Sequence, residues 1–156
     1  MQTRLTFGGK MDKRFLLDSN LISELSKPQP SANVLTNIQR FEPLCAISAI
    51  TLQEALFGVE LLPDGSRKNR LKEYIEIVKQ KFDVIPYDAT AATYYAEVVA
   101  KCNKAGQPRP ICDSQIAATA LANDLILVTR NTKDFEPIAN NSPLRVENWF
   151  EGPSST

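Results

Sequence analysis

Short apolar runs alternate with longer amphipathic segments along this chain. Runs with the length of buried strands cover residues 14–17, 44–47, 83–86 and 125–129, with a weaker one at 144–146. Between them, apolar residues recur at helical spacing, most clearly at Leu71, Tyr74, Ile75 and Val78. Strands that alternate with helices predict a three-layer α/β/α domain around a central, mostly parallel sheet.

Capping residues and helix breakers delimit the predicted helices. Ser31 and Asp88 stand before helical spacing and predict N-caps. The predicted helices cover residues 19–26, 31–41, 48–61, 67–82, 88–104 and the segment from Asp113 to Ala122. No repeat or linker interrupts the pattern, so one domain is expected over residues 13–150. Residues 1–12 are expected to be a disordered N-terminal extension and residues 151–156 a disordered tail.

Composition narrows the possible environments and partners. The 18 basic and 18 acidic residues give a formal net charge of zero, so any nucleic-acid affinity must come from a local basic face. No apolar stretch approaches the roughly 18 residues of a membrane span. The three cysteines are odd in number and lack metal-type spacing, which indicates reduced thiols and a cytoplasmic location.

The chain contains no histidine. This excludes Ser–His and Cys–His triads, histidine-ligated zinc and the histidine general base of metal-independent ribonucleases. If the chain is a hydrolase, carboxylates and a hard cation are therefore its most available machinery.

Several acids fall where strands end. Asp18 follows the first apolar run, Glu54 comes seven residues after Ile47, and Asp134 follows the 125–129 run. Because ligands of open α/β sheets bind at the carboxyl ends of the strands, these three acids are expected at one edge. Asp113 opens the helix that feeds the 125–129 run from the opposite end, so this rule does not place it.

Each acid also has a structural interpretation. Asp18 and Asp113 could be N-caps, Glu54 could complete a capping box with Thr51, and Asp134 could be a solvated loop residue. Gathered together, they would need a cation, since two carboxylates about 5 Å apart repel by roughly 3 kcal/mol at an effective dielectric of 20. Oxygen ligands without histidine or cysteine favour Mg²⁺ or Mn²⁺, which suits phosphodiester hydrolysis.

Four segments together resemble a known family. Residues 15–25 (FLLDSNLISEL), 48–58 (SAITLQEALFG), 113–120 (DSQIAATA) and 127–135 (LVTRNTKDF) are similar, in order and spacing, to the motifs of PIN-domain proteins. Within that family the chain looks most like the VapC toxins of bacterial toxin–antitoxin pairs. The resemblance implies a Mg²⁺-dependent endoribonuclease that cleaves RNA, is usually a homodimer, and is held inactive by a cognate antitoxin.

The resemblance also implies roles for individual residues. Asp18, Glu54 and Asp113 match the family's central acids, with Asp18 and Asp113 as direct metal ligands and Glu54 orienting a water or a second metal. Some members carry a fourth acid where this chain has Asn131, and here Asp134 is expected to compensate. The matching polar positions that line the site are Asn20, Ser23 and Thr129, whereas Glu24 is expected to be solvated surface.

Basic residues provide candidate contacts to RNA. Lys104, Arg109 and Arg130 stand near the site acids in sequence. The helix face over residues 67–81 is also basic, but Glu73 and Glu76 interrupt it and favour a merely solvated face.

Two other function classes fit parts of the pattern. A degenerate, non-catalytic PIN fold that binds RNA or a partner is suggested by Asn131. A Mg²⁺-dependent phosphatase or phosphoacceptor domain also places an Asp after a first strand. Such sites usually carry a second Asp two residues on, where this chain has Asn20.

Overall fold

Five short strands form one sheet in the computed structural model, which describes residues 12–151. The strands are β1 (Phe15–Leu17), β2 (Cys45–Ser48), β3 (Asp83–Ile85), β4 (Ile126–Val128) and β5 (Val146–Glu147). Their order is β3-β2-β1-β4-β5, and every neighbouring pair is parallel. The predicted α/β class with a central parallel sheet is confirmed.

Strand order reverses beside β1. The chain runs from β1 outward through β2 to β3, then returns to the other side of β1 to form β4. Leu17 pairs in register with Ile47 of β2 and Val128 of β4. The residues that follow these three positions therefore lie level at the carboxyl edge, with the switch point between β1 and β4, where open α/β sheets bind ligands.

Helices cover both faces of the sheet. Those in the first half of the chain are α1 (Ser19–Leu25), α2 (Ala32–Phe41), α3 (Ala49–Glu60) and α4 (Ser66–Lys81). Those in the second half are α5 (Ala89–Lys104), α6 (Ile111–Ala122) and α7 (Thr132–Asn140). A 3₁₀ turn, Glu42–Leu44, leads into β2. Of these described helices, none has the length and apolarity to cross a bilayer.

Two apolar cores lie on opposite faces of the sheet because successive strand residues point to opposite sides. On one face Leu17, Ile47 and Val128 pack with residues that include Phe82 and Trp149. On the other face Leu16 and Leu127 pack with residues that include Ile116 and Phe135. Burial on both faces is why the strands read as continuous apolar runs.

Two local features differ from the sequence prediction. α6 begins at Ile111, two residues before Asp113. α7 was not predicted, and it contains Pro137 and carries Asp134 in its first turn. The predicted N-terminal extension, residues 1–12, and the predicted tail, residues 151–156, lie outside the described residues except for Asp12 and Glu151.

Candidate active site

Asp18 is the most deeply buried acid of the site, with 5% of its surface exposed. It leaves β1 in an extended conformation and caps α1, its Oδ1 accepting a hydrogen bond from the Ser19 amide at 2.8 Å. Its Oδ2 accepts from Thr129 Oγ1 at 2.8 Å and from Asn20 Nδ2 at 3.4 Å. The capping interpretation is therefore correct, and the second carboxylate oxygen is held at the switch point as well.

Thr129 joins the ends of β1 and β4. Its side chain is fully buried, and its Oγ1 accepts hydrogen bonds from Asn20 Nδ2 at 3.2 Å and from the Asn131 amide at 3.1 Å. Asn20 reaches further along the same segment, since its Oδ1 accepts from the Arg130 amide at 3.1 Å. Three side chains from two strand ends thus form one closed hydrogen-bond network.

The network only partly offsets the burial of Asp18. Desolvation raises the pKa of its carboxyl group, whereas the hydrogen bonds from Thr129, Ser19 and Asn20 lower it, and the net direction is upward from 3.8.

Glu54 and Asp113 face the same region from two helices. Burial raises the pKa of Glu54, and the negative charges of Asp18 and Asp113 raise it further. Burial also raises the pKa of Asp113, with added contributions from Asp18 and Asp134 and an opposing one from Arg109. The structure therefore brings the predicted acids into one electrostatically coupled cluster, including Asp113, which the strand-end rule did not place.

The capping interpretations of Glu54 and Asp113 are wrong. Ser48 caps α3, its Oγ accepting from the Thr51 amide at 2.9 Å, and Glu54 forms no side-chain hydrogen bond within residues 12–151. Pro110 occupies the N-cap position of α6, and Asp113 lies inside the first turn. Neither carboxylate is needed to begin its helix.

Four other predicted site residues are exposed. Asp134 is exposed in the first turn of α7, and its backbone oxygen accepts from Arg109 Nη1 at 3.3 Å. Asn131 is exposed just before α7 and provides no side-chain cap. Ser23 and Lys104 are also exposed and take no part in the Asp18–Thr129–Asn20 network.

Glu24 was expected to be solvated surface, and this expectation is wrong. Only 7% of the residue is exposed, and its carboxylate accepts from Lys27 Nζ and from the Ser31 amide, each at 2.8 Å. The hydrogen bonds from Lys27 and Ser31, with smaller effects of nearby charges including Arg130, hold its pKa below 4.5. The signal in the sequence was the Pro28–Pro30 break, which turns the chain back over the last turn of α1.

The donor set of the cluster fits a hydrated divalent cation. Within the described part of the chain, no three His, Cys, Asp or Glu side chains are already spaced to hold one ion together. Mg²⁺ does not require such a cage, because it usually keeps several waters and takes one or two carboxylates. Carboxylates that raise one another's pKa are the groups that a cation would stabilise.

Comparisons with known proteins identify a matching family and individual relatives. The family model of the PIN domain matches residues 15–141. The plasmid stability protein StbB of Pseudomonas syringae pv. tomato is 39% identical, over 81% of this chain and 94% of its own length. The tRNA(fMet)-specific endonuclease VapC of Shigella flexneri is 33% identical, over 87% and 98%.

A third relative has a solved structure. Toxin FitB of Neisseria gonorrhoeae is 36% identical, over 77% of this chain and 89% of its own length. A structure described as FitAB bound to the IR36 DNA fragment matches with a TM-score of 0.80 and 31% identity, over 91% of this chain and 99% of that one. The similarity thus extends across nearly the whole length of these proteins.

Thr129→Val should weaken the network without changing the shape of the core. Asp18 would lose a buried hydrogen-bond donor, so the free energy of unfolding should fall by about 1–3 kcal/mol. Thr129→Ser keeps the hydroxyl and is the matched control. Urea unfolding followed by circular dichroism measures both, and a loss below about 0.5 kcal/mol in Thr129→Val would show that the network does not stabilise the fold.

Glu54→Gln should stabilise the metal-free protein at neutral pH. The folded-state pKa of Glu54 is raised, so its ionised form opposes folding above that pKa and the penalty disappears as the pH falls toward 4.5. Because Glu54 is partly solvated, the expected gain in Tm is only about 1–3 °C at pH 7.5. Glu73→Gln, on the exposed face of α4, is the control. An equal shift of Tm in both variants would show that the raised pKa of Glu54 does not reduce stability.

Proposed function

Because this chain belongs to the PIN-domain family, we propose that it is a metal-dependent endoribonuclease and the toxin of a toxin–antitoxin pair. The observation that carries the proposal is the coupled cluster of Asp18, Glu54 and Asp113 at the switch point of the sheet. The Shigella relative, named as an endonuclease specific for tRNA(fMet), supports the same reaction class. The proposed nuclease domain covers residues 13–150.

Asp18 and Asp113 are the proposed ligands of Mg²⁺, for which Mn²⁺ can substitute. When bound, such a cation polarises the phosphoryl group and lowers the pKa of water. Asp18 is held rigidly by Thr129 and Asn20, whereas Asp113 has no side-chain hydrogen bond within residues 12–151. One fixed and one adjustable carboxylate suit an ion that must also accept substrate phosphates.

Glu54 is the proposed acceptor of the proton of the attacking water. It has no hydrogen-bond partner within the described residues. Its pKa is raised in the direction of neutral pH, and a general base is most effective when its pKa lies near the working pH. In-line attack by this water leaves a 5′-phosphate and a 3′-hydroxyl, with no covalent enzyme intermediate. The 2′-hydroxyl of the RNA takes no part, so 2′,3′-cyclic products would contradict the mechanism.

Asp134 is the proposed fourth acid, in place of the amide at Asn131. The charge of Asp134 contributes to the raised pKa of Asp113, so the two carboxylates are electrostatically coupled. The Asn131 side chain cannot take a proton, and its backbone amide is already bound to Thr129. In this proposal the fourth acid stands three residues, about one helical turn, after the position that Asn131 occupies.

RNA is proposed to enter as a single strand. Arg109 lies against the backbone of Asp134 and opposes the raised pKa of Asp113, so it is positioned beside the acids. Lys104 and Arg130 are further candidates for contacts to phosphate. An unstacked strand can bring a phosphodiester into a cleft more easily than a duplex can.

A cognate antitoxin and a second copy of this chain are the proposed protein partners, in the cytoplasm. The FitAB structure and a toxin–antitoxin complex from Klebsiella pneumoniae, which matches at 25% identity with a TM-score of 0.63, support an antitoxin here. Exposed apolar side chains on α3 and α4, among them Phe57 and Ile77, are available to such contacts.

The alternatives have weaker support. In a phosphoacceptor site a second acid would stand at position 20, but Asn20 uses both its amide nitrogen and its oxygen to tie Asp18 and Thr129 to Arg130. A non-catalytic fold would have no need for three mutually repelling carboxylates. That alternative remains the interpretation to adopt if cleavage is not found.

Purified wild type should cleave a mixed pool of tRNA and ribosomal RNA with Mg²⁺ and not with EDTA. Asp18→Asn and Asp113→Asn should each lower the rate by about 100-fold or more, since each removes a proposed ligand. The fragments should carry 5′-phosphates, detected by their resistance to labelling by polynucleotide kinase until dephosphorylated. Identical patterns in wild type and both variants would reject the assignment.

Asp134→Asn should lower kcat by about 10-fold. Adding Asn131→Asp to this variant should restore part of kcat, because it places an acid at position 131. Lys133→Gln, the neighbouring exposed change, is the control. If Asp134→Asn keeps wild-type kcat, Asp134 is a solvated helix residue.

A further inference from the structure

Arg130 follows the Asp18–Thr129–Asn20 network directly. Thr129 precedes it, and the Arg130 amide donates to Asn20 Oδ1 at 3.1 Å. The Asn131 amide on its other side donates to Thr129 Oγ1 at the same distance. The backbone of Arg130 is therefore fixed beside the acid cluster, and only its side chain is left to adjust.

The guanidinium of Arg130 has no acidic partner among the described residues, but it packs against an aromatic ring. Within residues 12–151 it forms no salt bridge and no side-chain hydrogen bond, unlike Arg145, which pairs with Asp124. Its Cζ lies 4.6 Å from the centroid of the Phe150 ring, within the range of a cation–π contact. Glu24 is near enough for its pKa to be affected, but its carboxylate is already bound to Lys27 and Ser31.

Phe150 is itself held from two sides. Its amide donates to Asn148 Oδ1 at 2.9 Å, and its carbonyl oxygen accepts from Asn33 Nδ2 of α2 at 3.0 Å. The ring packs against the apolar core that contains Trp149. The backbone of Phe150 is thus fixed and its side chain packs against the core, so a guanidinium stacked on the ring loses little freedom when it binds an anion.

We propose that Phe150 is a positioning residue for the guanidinium of Arg130, whose backbone amide is bound to Asn20 of the Asp18–Thr129–Asn20 network, and that this guanidinium binds a phosphate of the RNA strand next to the scissile one. This inference rests on the proposed ribonuclease function and names a substrate contact within the same site. An arginine whose side-chain donors have no partner within residues 12–151, and which is backed by an aromatic ring, can bind phosphate through two parallel hydrogen bonds. Arg130 would supply the positive charge that binds this neighbouring phosphate.

Binding is measured by fluorescence anisotropy with a labelled, 20-nucleotide single-stranded RNA of random sequence. Every sample carries Asp113→Asn, so that no RNA is cleaved during the titration. Arg130→Gln should weaken binding about 10-fold and reduce the dependence of log K on log salt by about 0.7, the value for one lost phosphate contact on a single strand. Arg130→Lys, which keeps the charge without the planar fork, should fall in between.

Phe150→Leu should weaken binding by about 2- to 5-fold, and Phe150→Tyr should retain it, since tyrosine keeps the ring face. In the presence of Arg130→Gln, Phe150→Leu should have no further effect on affinity. If the ring had only a structural role, Phe150→Leu would lower the Tm and would weaken RNA binding to the same extent with and without Arg130.

Arg40→Gln is the matched control. Arg40 also stacks on an aromatic ring, 5.0 Å from the centroid of Phe41, but it lies on the last turn of α2, ahead of the start of β2. If Arg130→Gln weakens binding no more than Arg40→Gln does, or if Phe150→Leu acts equally with and without Arg130, the inference is overturned. Failure of the proposed function is separate, because it would appear as RNA cleavage that is absent or indifferent to Asp113→Asn in the chain with Arg130 intact.

Discussion

The burial of one carboxylate at the end of the central strand governs the rest of the site. Asp18 is almost inaccessible, so its charge must be balanced by groups that the fold supplies. Ser19, Asn20 and Thr129 supply three hydrogen bonds, and they come from both sides of the switch point. These bonds do not fully offset the burial, so the pKa of Asp18 is raised, and a bound cation would stabilise its ionised form.

Two further acids belong to the same cluster. Glu54 and Asp113 approach from α3 and α6 and raise the electrostatic cost, which is unfavourable for a protein that only has to fold. A cluster kept at such a cost is typical of a functional site. Arg109 lies beside Asp134 and opposes the raised pKa of Asp113, whereas Arg130 follows Thr129 and stacks on the ring of Phe150. A divalent cation would neutralise the acids that Arg109 does not balance.

Much of the fold was predictable because buried parallel strands leave continuous apolar runs in the sequence. The five strands follow from these runs. Local signals of another kind, capping residues and helical spacing, gave the N-caps at Ser31 and Asp88 and the helix that contains Asp113. The approach of Asp113 to Asp18 did not follow from the strand-end rule, since it depends on how α6 packs across the sheet; only the family resemblance indicated it. The burial of Glu24 depends on its bonds to Lys27 and Ser31 around the Pro28–Pro30 break, a local signal that was not used. The stacking of Arg130 on Phe150 joins distant segments, and no local pattern encodes it.

The most direct test of the central claim is a titration of metal-free protein with Mn²⁺, followed by electron paramagnetic resonance of the unbound ion. Wild type should bind Mn²⁺ in a way that Mg²⁺ displaces, and Asp18→Asn and Asp113→Asn should each weaken binding by about tenfold or more while remaining folded. Glu73→Gln should bind as wild type does. If wild type binds no Mn²⁺, or if the two variants bind it as tightly as wild type, the acid cluster is not a metal site and this account of it is wrong.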